Sequence, residues 1–340
     1  MTRRRFGSRA GSLGGYVLAA VLLWLFARNV EWRALVEAAR SAGWSIIALA
    51  IVIRFASLAV SALRWQALLE PTQHVPFRGV LAATMIGVTA SVVAPVQAAE
   101  LIRPYVLSRR ERVNLTATLG TAIAEWVLDA VAVIALFVAA VLWQRAGNGA
   151  PARAPMTATL FFLALVTTCL ALLRLAAGRA AHFDGPSSAS APSSDIRGRT
   201  VRALRSFALG LGALRQRRGL LIVTGYSLAL SALTATSAWL TLIAFQMPIS
   251  FAAGFLLLGL ITIAGIVPTP GALGGFHAIC QLGLVAFFHI DRAHTVLPVI
   301  VLHAVLYMPA ALVGVLCFTT SPGQVEWVEP QRDPCVVRHC

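Results

Sequence analysis

Residues 251–288 read FAAGFLLLGLITIAGIVPTPGALGGFHAICQLGLVAFF, two apolar runs separated by Pro268-Thr269-Pro270-Gly271. The runs extend from Phe251 to Val267 and from Leu273 to Phe288. One helical crossing of a bilayer needs about 20 apolar residues. Irregular backbone at membrane depth is tolerated only where it is buried in protein or lines a cavity. The stretch therefore predicts a membrane-embedded pair of helices with a broken middle.

The rest of the chain has the same character, since 58% of the 340 residues are hydrophobic and only 12% are charged. A soluble domain is nearer half apolar and a quarter charged. We expect an all-α polytopic membrane protein, with a transmembrane domain over residues 13–320 between a basic N-terminus, 1–12, and a polar tail, 321–340. About six full spans are expected, at residues 13–27, 44–63, 115–143, 157–175, 220–245 and 296–318. Residues 31–40 predict a short amphipathic helix at the membrane interface.

The net charge is +15, and all 28 basic residues are arginine. Arginine accumulates on cytoplasmic loops and near anionic lipid, so this charge does not require a nucleic-acid partner. The N-terminus and a Ser/Pro/Gly-containing linker, 178–218, are therefore expected in the cytoplasm. Arginines that are expected to contact lipid at the surface are Arg197, Arg199, Arg202, Arg205, Arg215, Arg217 and Arg218.

A second broken run lies at residues 94–104, APVQAAELIRP. It belongs to a region, 80–107, whose start is flanked by arginines at 64 and 78 and whose end is flanked by those at 103, 109, 110 and 112. Both ends of this region are therefore predicted to be cytoplasmic. By the same rule, residues 251–290 enter from the outside and return there. Two proline- and glycine-broken re-entrant hairpins of opposite orientation predict an inverted repeat with a substrate site near the midplane. Positions 110 and 291 should then lie on opposite sides of the membrane.

Charged residues inside the apolar runs are the first functional candidates, because ionisable groups in a membrane are costly. Glu100 and Arg103 are three residues apart, and Glu125 and Asp129 are four apart, so each pair shares a helix face. Arg54 is expected to pair with Glu125 or Asp129 or to contact a phosphate. The alternative is that the carboxylates only pair with Arg54 or Arg103 to fix helix packing.

The two breaks supply the remaining candidates. Glycines let the backbone approach a ligand, and a helix N-terminus offers free N–H groups to an anion. These candidates are Pro95, Pro270, Gly271, Gly274, Gly275, His277 and His303. Arg64-Trp65 is interpreted as an anchor at the membrane interface.

Catalysis, metals and cofactors are not expected. The five cysteines show no CxxC or Cys/His spacing typical of a metal site, and no GxxxxGK[ST] pattern is present. No nucleophile accompanies the carboxylates, so an enzyme is not predicted.

The order of these motifs resembles the flippase-like transmembrane domain of lysylphosphatidylglycerol synthases, over roughly residues 13–318. The resemblance rests on Arg64-Trp65, Pro95, Glu100-Leu101-Ile102-Arg103 with Leu107, Glu125 to Asp129, and Pro268-Thr269-Pro270-Gly271-Ala272-Leu273-Gly274-Gly275-Phe276. The chain departs from the family pattern at Ala99 (usually Gly), Trp126 (usually Arg), His277 (usually Glu) and His303 (often Arg). The lysyltransferase domain is missing, so lipid aminoacylation is not expected.

The resemblance implies translocation of a phospholipid, a polyprenyl-linked lipid or a hopanoid-type lipid across the bacterial cytoplasmic membrane. Arg103 and Arg54 would hold the phosphate, and Glu100, Glu125 and Asp129 would meet a cationic group or carry protons. The partners would be membrane lipids with phosphate-bearing or anionic headgroups, together with enzymes of envelope-lipid biosynthesis. Two alternatives stay open: a proton- or ion-coupled carrier for a small solute, and a scaffold that transports nothing.

Overall fold

The computed structural model describes residues 16–28, 32–71, 73–94, 96–147, 216–267 and 269–320. These residues form α-helices joined by short connections, and no β-strand occurs among them. The helices are α1 (Tyr16–Ala27), α2 (Trp32–Ser41), α3 (Trp44–Leu69), α4 (Phe77–Val93), α5 (Val96–Glu111), α6 (Leu115–Gly147), α7 (Arg217–Ile243), α8 (Phe251–Ile266), α9 (Gly275–Phe288) and α10 (Arg292–Thr319). The all-α prediction is confirmed.

Four helices are long and apolar enough to cross a membrane: α3, the part of α6 from Leu115 to Leu136, α7 and α10. Helix α3, for example, has 26 residues. At about 1.5 Å per residue its length is roughly 39 Å, which exceeds the ~30 Å thickness of the hydrocarbon core. These four correspond to the spans expected at 44–63, 115–143, 220–245 and 296–318. The span expected at 13–27 is represented by α1, which falls in a shorter class of apolar helix. The span at 157–175 lies outside the described residues.

Two pairs of shorter helices correspond to the two predicted hairpins. Helices α4 and α5 pack against each other, as do α8 and α9. Helix α4 ends because Ala94 is extended (φ −108°, ψ 162°), and α8 ends because Val267 is extended (φ −71°, ψ 119°). The second break then turns through Gly271 and Gly274, whose φ values of 62° and 79° favour glycine. Both breaks are therefore where the sequence predicted them.

The helices fall into two sets of the same order, long helix, broken pair, long helix: α3, α4–α5, α6 and then α7, α8–α9, α10. The packing between the sets is reciprocal. Helix α4 packs extensively on α10, α8 packs on α6, and the two leading helices, α3 and α7, form the most extensive contact of all. This exchange of partners is what an internal repeat predicts. The opposite orientation of the two sets in the membrane stays a prediction.

The two breaks meet in the interior. The backbone N–H of Gly271 donates to the carbonyl of Ala94, with an N···O distance of 3.4 Å. A side chain at Gly271 would bring its Cβ within 2.8 Å of the Val92 carbonyl oxygen, so only glycine allows this approach. Because α4 and α8 both end at this point, neither helix continues through the bundle.

Helix α2 confirms the short helix that was predicted at residues 31–40. Leu35 packs against the core, whereas Trp32 is 77% exposed and Val36 is 50% exposed, so these two apolar side chains are not covered by the described part of the chain. Its position at the membrane interface stays a prediction.

Candidate substrate site

A cavity of about 270 Å³ lies among α3, α4, α5, α6, α7, α8 and α10. Its charged lining residues are Arg54, Arg64, Glu100, Arg103 and Asp129. Its other polar lining residues are Ser61, Thr84, Ser91, Ser231, Thr234, Thr262 and Tyr307. A site with this much charge is enclosed by helices whose outer surfaces are largely apolar.

Helical spacing explains why these residues share one cavity. Positions three, four or seven apart lie on one face of a helix. Helix α3 presents Arg54, Leu58, Ser61 and Arg64 at these spacings, and α4 does the same from Thr84 to Ser91. The facing helix α7 supplies hydroxyl groups from Ser231 and Thr234.

Arg64 is the centre of the ion-pair network. It is 1% exposed and donates to Glu125 Oε1 at 3.1 Å, to both carboxylate oxygens of Asp129, and to Ser227 Oγ at 3.0 Å. The predicted shared face of Glu125 and Asp129 is therefore confirmed, because one guanidinium group binds both. The interpretation of Arg64-Trp65 as an interfacial anchor is wrong, since Arg64 is paired in the interior and Trp65 is fully buried beside it.

Trp65 packs beside the same network and contacts Arg103. Its indole N–H donates to Thr121 Oγ1 at 3.0 Å, which satisfies its one polar group. The Arg103 guanidinium carbon lies 4.7 Å from the centre of the Trp65 ring, within the range of a cation–π contact. The tryptophan therefore orients an arginine of the site.

Arg103 adds a third carboxylate, Glu100, to the network and shares Glu125 with Arg64. It donates to Glu100 Oε2 at 3.2 Å and to Glu125 Oε2 at 3.3 Å, so the predicted pairing of Glu100 with Arg103 is confirmed. The Arg103 side chain passes directly over Gly87 of α4, where a Cβ would collide with it. Glu125 thus bridges both arginines, and its side chain is only 2% exposed.

Arg54 does not pair with Glu125 or Asp129, contrary to one of the sequence-based alternatives. It lies nearly three turns before Arg64 on the same face of α3, so it faces a different level of the bundle. Its Nε–H donates to the Leu306 carbonyl at 3.0 Å, and its Nη1–H donates to Ser57 Oγ at 3.1 Å. Within the described residues it has no carboxylate partner.

The two histidines lie together at the tip of the second hairpin. Their ring centres are 4.9 Å apart, and both rings pack against Phe276. His303 Nε2 is 2.9 Å from the Gly271 carbonyl oxygen, which ties α10 to the break. Tyr307, whose ring centre is 4.8 Å from that of His303, connects this cluster to the cavity wall.

The structure thus brings together the charged candidates but separates the others from them. Glu100, Arg103, Asp129 and Arg54 line the cavity, and Glu125 lies directly behind it. The second hairpin has a packed tip in which these candidates are buried: Pro270, Gly271, Gly274, Gly275 and His277. His303, on α10, is buried against this tip. Pro95, Arg197, Arg199, Arg202, Arg205 and Arg215 lie outside the described residues. Arg217 and Arg218 are exposed in the first turn of α7.

Sequence reasoning missed the central role of Arg64 and the hydroxyl groups of α4 and α7. The signal was present, because Arg54, Ser57, Ser61 and Arg64 form a polar stripe along an otherwise apolar α3. The described residues contain no group of three or more His, Cys, Asp or Glu side chains that could hold a metal ion. What the site offers chemically is fixed charge and hydrogen bonding in an apolar surrounding.

Residues 12–314 match the family model described as lysylphosphatidylglycerol synthase TM region. The match covers both helix sets and every residue of the cavity. No curated protein matches the chain significantly. The fold is that of an integral, multi-pass helical membrane protein. Because the match covers most of the chain, this protein belongs to the lysylphosphatidylglycerol synthase TM region family.

Proposed function

We propose that this protein moves lipids between the leaflets of the bacterial cytoplasmic membrane. The observation that carries the proposal is the charged cavity inside an apolar, multi-pass helix bundle. A charged headgroup cannot cross hydrocarbon unaided, because a bare charge loses its hydration there. The fixed arginines and carboxylates of the cavity replace that hydration. The role is transport, and no chemical change of the lipid is part of it.

The size of the cavity fits a headgroup rather than a whole lipid. Its volume of about 270 Å³ lies just below the range of ~300–1,000 Å³ that is typical of pockets for drug-sized ligands. The acyl chains would therefore stay in the bilayer while the headgroup passes through the protein. Phospholipids, polyprenyl-linked lipids and hopanoid-type lipids all satisfy this condition when their headgroup is small.

The meeting of the two breaks supports transport rather than a purely structural role. Broken helices near the midplane are a common way to build the site and the moving parts of a transporter. Here the tips of both pairs are joined by the hydrogen bond between Gly271 and Ala94, next to Ser91 in the cavity lining. A shift of either pair would open or close the cavity.

The start of α7 supports a contact with anionic lipid. Arg217 and Arg218 are exposed at a helix N-terminus, where the helix dipole favours negative charge. Phosphate groups of a cytoplasmic leaflet would satisfy both arginines and the helix end. This contact supports the proposal that this end of α7, the linker 178–218 and the N-terminus are cytoplasmic, where envelope-lipid biosynthesis enzymes would deliver the lipid.

Lipid exchange in proteoliposomes tests this function with one pair of matched variants. Thr234→Phe adds a ring at the cavity wall without changing its charge. Thr236→Phe makes the same change two residues along α7, on another face and outside the cavity lining. The two threonines are otherwise alike, since each hydroxyl donates to the carbonyl four residues earlier at 2.8 Å.

Acyl-labelled lipids would be quenched from the outside by a reagent that does not cross the membrane. We expect the wild type and Thr236→Phe to expose inner-leaflet label, and Thr234→Phe to resemble empty vesicles. If no lipid exchanges in the wild type, with or without a pH gradient, lipid transport is wrong. Uptake of a small solute would then favour the solute carrier, and neither activity would favour the scaffold.

A further inference from the structure

We infer that the cavity is selective for a zwitterionic headgroup that carries one phosphate and one primary amine. The phosphate would bind at Arg54, and the amine would bind at Glu100 and Asp129. This inference rests on the proposed lipid transport and names the substrate class of the same site. It follows from how the charges around the cavity are paired.

Among the described residues, the charges around the cavity sum to zero. Three arginines, Arg54, Arg64 and Arg103, contribute +3, and three carboxylates, Glu100, Glu125 and Asp129, contribute −3. A purely anionic headgroup would therefore leave one uncompensated negative charge in an apolar surrounding, which is unfavourable. A headgroup of zero net charge keeps the filled site neutral. The neutral total favours a zwitterion over an anion.

Arg54 provides the place for the phosphate. Arg64 and Arg103 are each held by two carboxylates, whereas Arg54 contacts only a carbonyl and a hydroxyl among the described residues. A guanidinium group has five N–H donors, and these two contacts use two of them. The remaining donors form the planar fork that binds phosphate in a bidentate manner. Of the two arginines expected to hold the phosphate, Arg103 and Arg54, the pairing favours Arg54.

Glu100 and Asp129 provide the place for the amine. Their side chains are 29% and 38% exposed, whereas the Glu125 side chain is 2% exposed and does not line the cavity. Both line the cavity, and an ionised carboxylate accepts more hydrogen bonds than each makes here. A primary ammonium group carries three N–H donors for these acceptors. A quaternary ammonium group carries none, so choline should fit the charge but not the hydrogen bonds.

The first test compares three lipids with the same labelled acyl chains in wild-type proteoliposomes. The headgroups are phosphoethanolamine, phosphocholine and phosphoglycerol. We expect phosphatidylethanolamine to exchange ~10-fold faster than phosphatidylglycerol, the ratio that about one charge-assisted contact provides. Phosphatidylcholine should fall between them. Equal rates, or a faster phosphatidylglycerol, would overturn the inference while leaving lipid transport intact.

Two variants with opposite charge changes give the second test. Arg54→Gln makes the site negative, so its preference should move away from phosphatidylglycerol and towards a lipid with a cationic headgroup. Glu100→Gln makes the site positive, so its preference should move towards phosphatidylglycerol. Arg54→Lys keeps the charge and should retain the wild-type order of lipids.

A purely structural role of these residues predicts a different result, namely that all lipids slow by the same factor in both variants. That outcome would refute the inference. Because headgroup preference is a ratio between lipids in one preparation, it does not depend on how much protein is correctly inserted. Absence of exchange for every lipid in the wild type would instead count against the proposed transport itself.

Discussion

Glu125 binds two arginines at once, and its own side chain is only 2% exposed. Its Oε1 accepts from Arg64 and its Oε2 accepts from Arg103. Removing one partner of a buried ion pair is far more costly than the pair is stabilising, because an uncompensated charge remains. The network therefore holds α3, α5 and α6 together only while all its members are charged.

We predict that Glu125→Gln lowers the free energy of unfolding by about 3–5 kcal/mol, since Arg64 and Arg103 then share less negative charge in an apolar surrounding. Thermal unfolding of the purified protein in detergent measures this loss. The matched control is Glu70→Gln at the exposed end of α3, which should stay within about 0.5 kcal/mol of the wild type. Equal stability of the two variants would contradict the central role of Glu125.

At this scale the sequence predicted shared faces within one helix and, as one alternative, the pairing of Arg103 with Glu125, which is present. It did not predict that Arg64 is the other partner. Glu100 with Arg103, and Glu125 with Asp129, follow from spacing alone, because a helix repeats every 3.6 residues. Arg54 and Arg64 both lie on α3, and only the relative heights of α3 and α6 decide which one meets Glu125. The structure selects Arg64, which sequence reasoning had placed at the interface.

Among the helices, the contact of α4 with α10 depends on close backbone approach. A Cβ at Gly314 would collide with the carbonyl oxygen of Met85 and with Thr89 Oγ1. Thr89 also donates to the Ala311 carbonyl at 3.0 Å, so the two helices are hydrogen-bonded at the same level. Small residues at such crossings are typical of helix packing in membranes.

We therefore predict that Gly314→Ala destabilises the protein by about 1–3 kcal/mol through overpacking at this crossing. Gly225→Ala is the control, because a Cβ at Gly225 in α7 would have no neighbour within 4 Å. The control should be neutral or stabilising by up to ~1 kcal/mol, the helix-propensity difference between glycine and alanine. Thermal unfolding of both variants in one detergent compares their stabilities. If Gly225→Ala were less stable than Gly314→Ala, the packing argument would be contradicted.

The elements themselves were largely predictable, and the breaks were the clearest of them. Proline and glycine end helices for local reasons, so the stretches around Ala94 and Gly271 could be recognised before any contact was known. The contact between these two breaks could not, because it joins residues far apart in the chain. The reciprocal packing of α4 on α10 and α8 on α6 was likewise invisible to local patterns.

For the whole molecule, the prediction that remains is the orientation of the two hairpins. Four exposed positions outside the helices or at their ends test it: His74, Arg112, Ser250 and Asp291. Each would be changed to cysteine in a background without the five native cysteines. Labelling of intact cells with a reagent that does not cross the membrane then reports the side of each position.

We expect His74→Cys and Arg112→Cys to be protected in intact cells, and Ser250→Cys and Asp291→Cys to be labelled. Each pair flanks one broken helix pair, so the two members of a pair must agree if that pair enters and returns on the same side. The two pairs must also disagree with each other if the repeat is inverted. Opposite results for His74 and Arg112 would show that α4–α5 crosses the membrane and is not re-entrant.

Helix content, membrane insertion, the positions of the breaks and the identity of most charged candidates followed from composition and local spacing. Hydrophobicity and helix periodicity act over a few turns, so a single stretch of chain already expresses them. Three features came only from the tertiary structure of the described residues: the pairing of Arg64, the position of Arg54 away from any carboxylate, and the neutral total charge around the cavity. They depend on seven helices meeting around one space, and no local pattern encodes how far each helix is shifted along its neighbours.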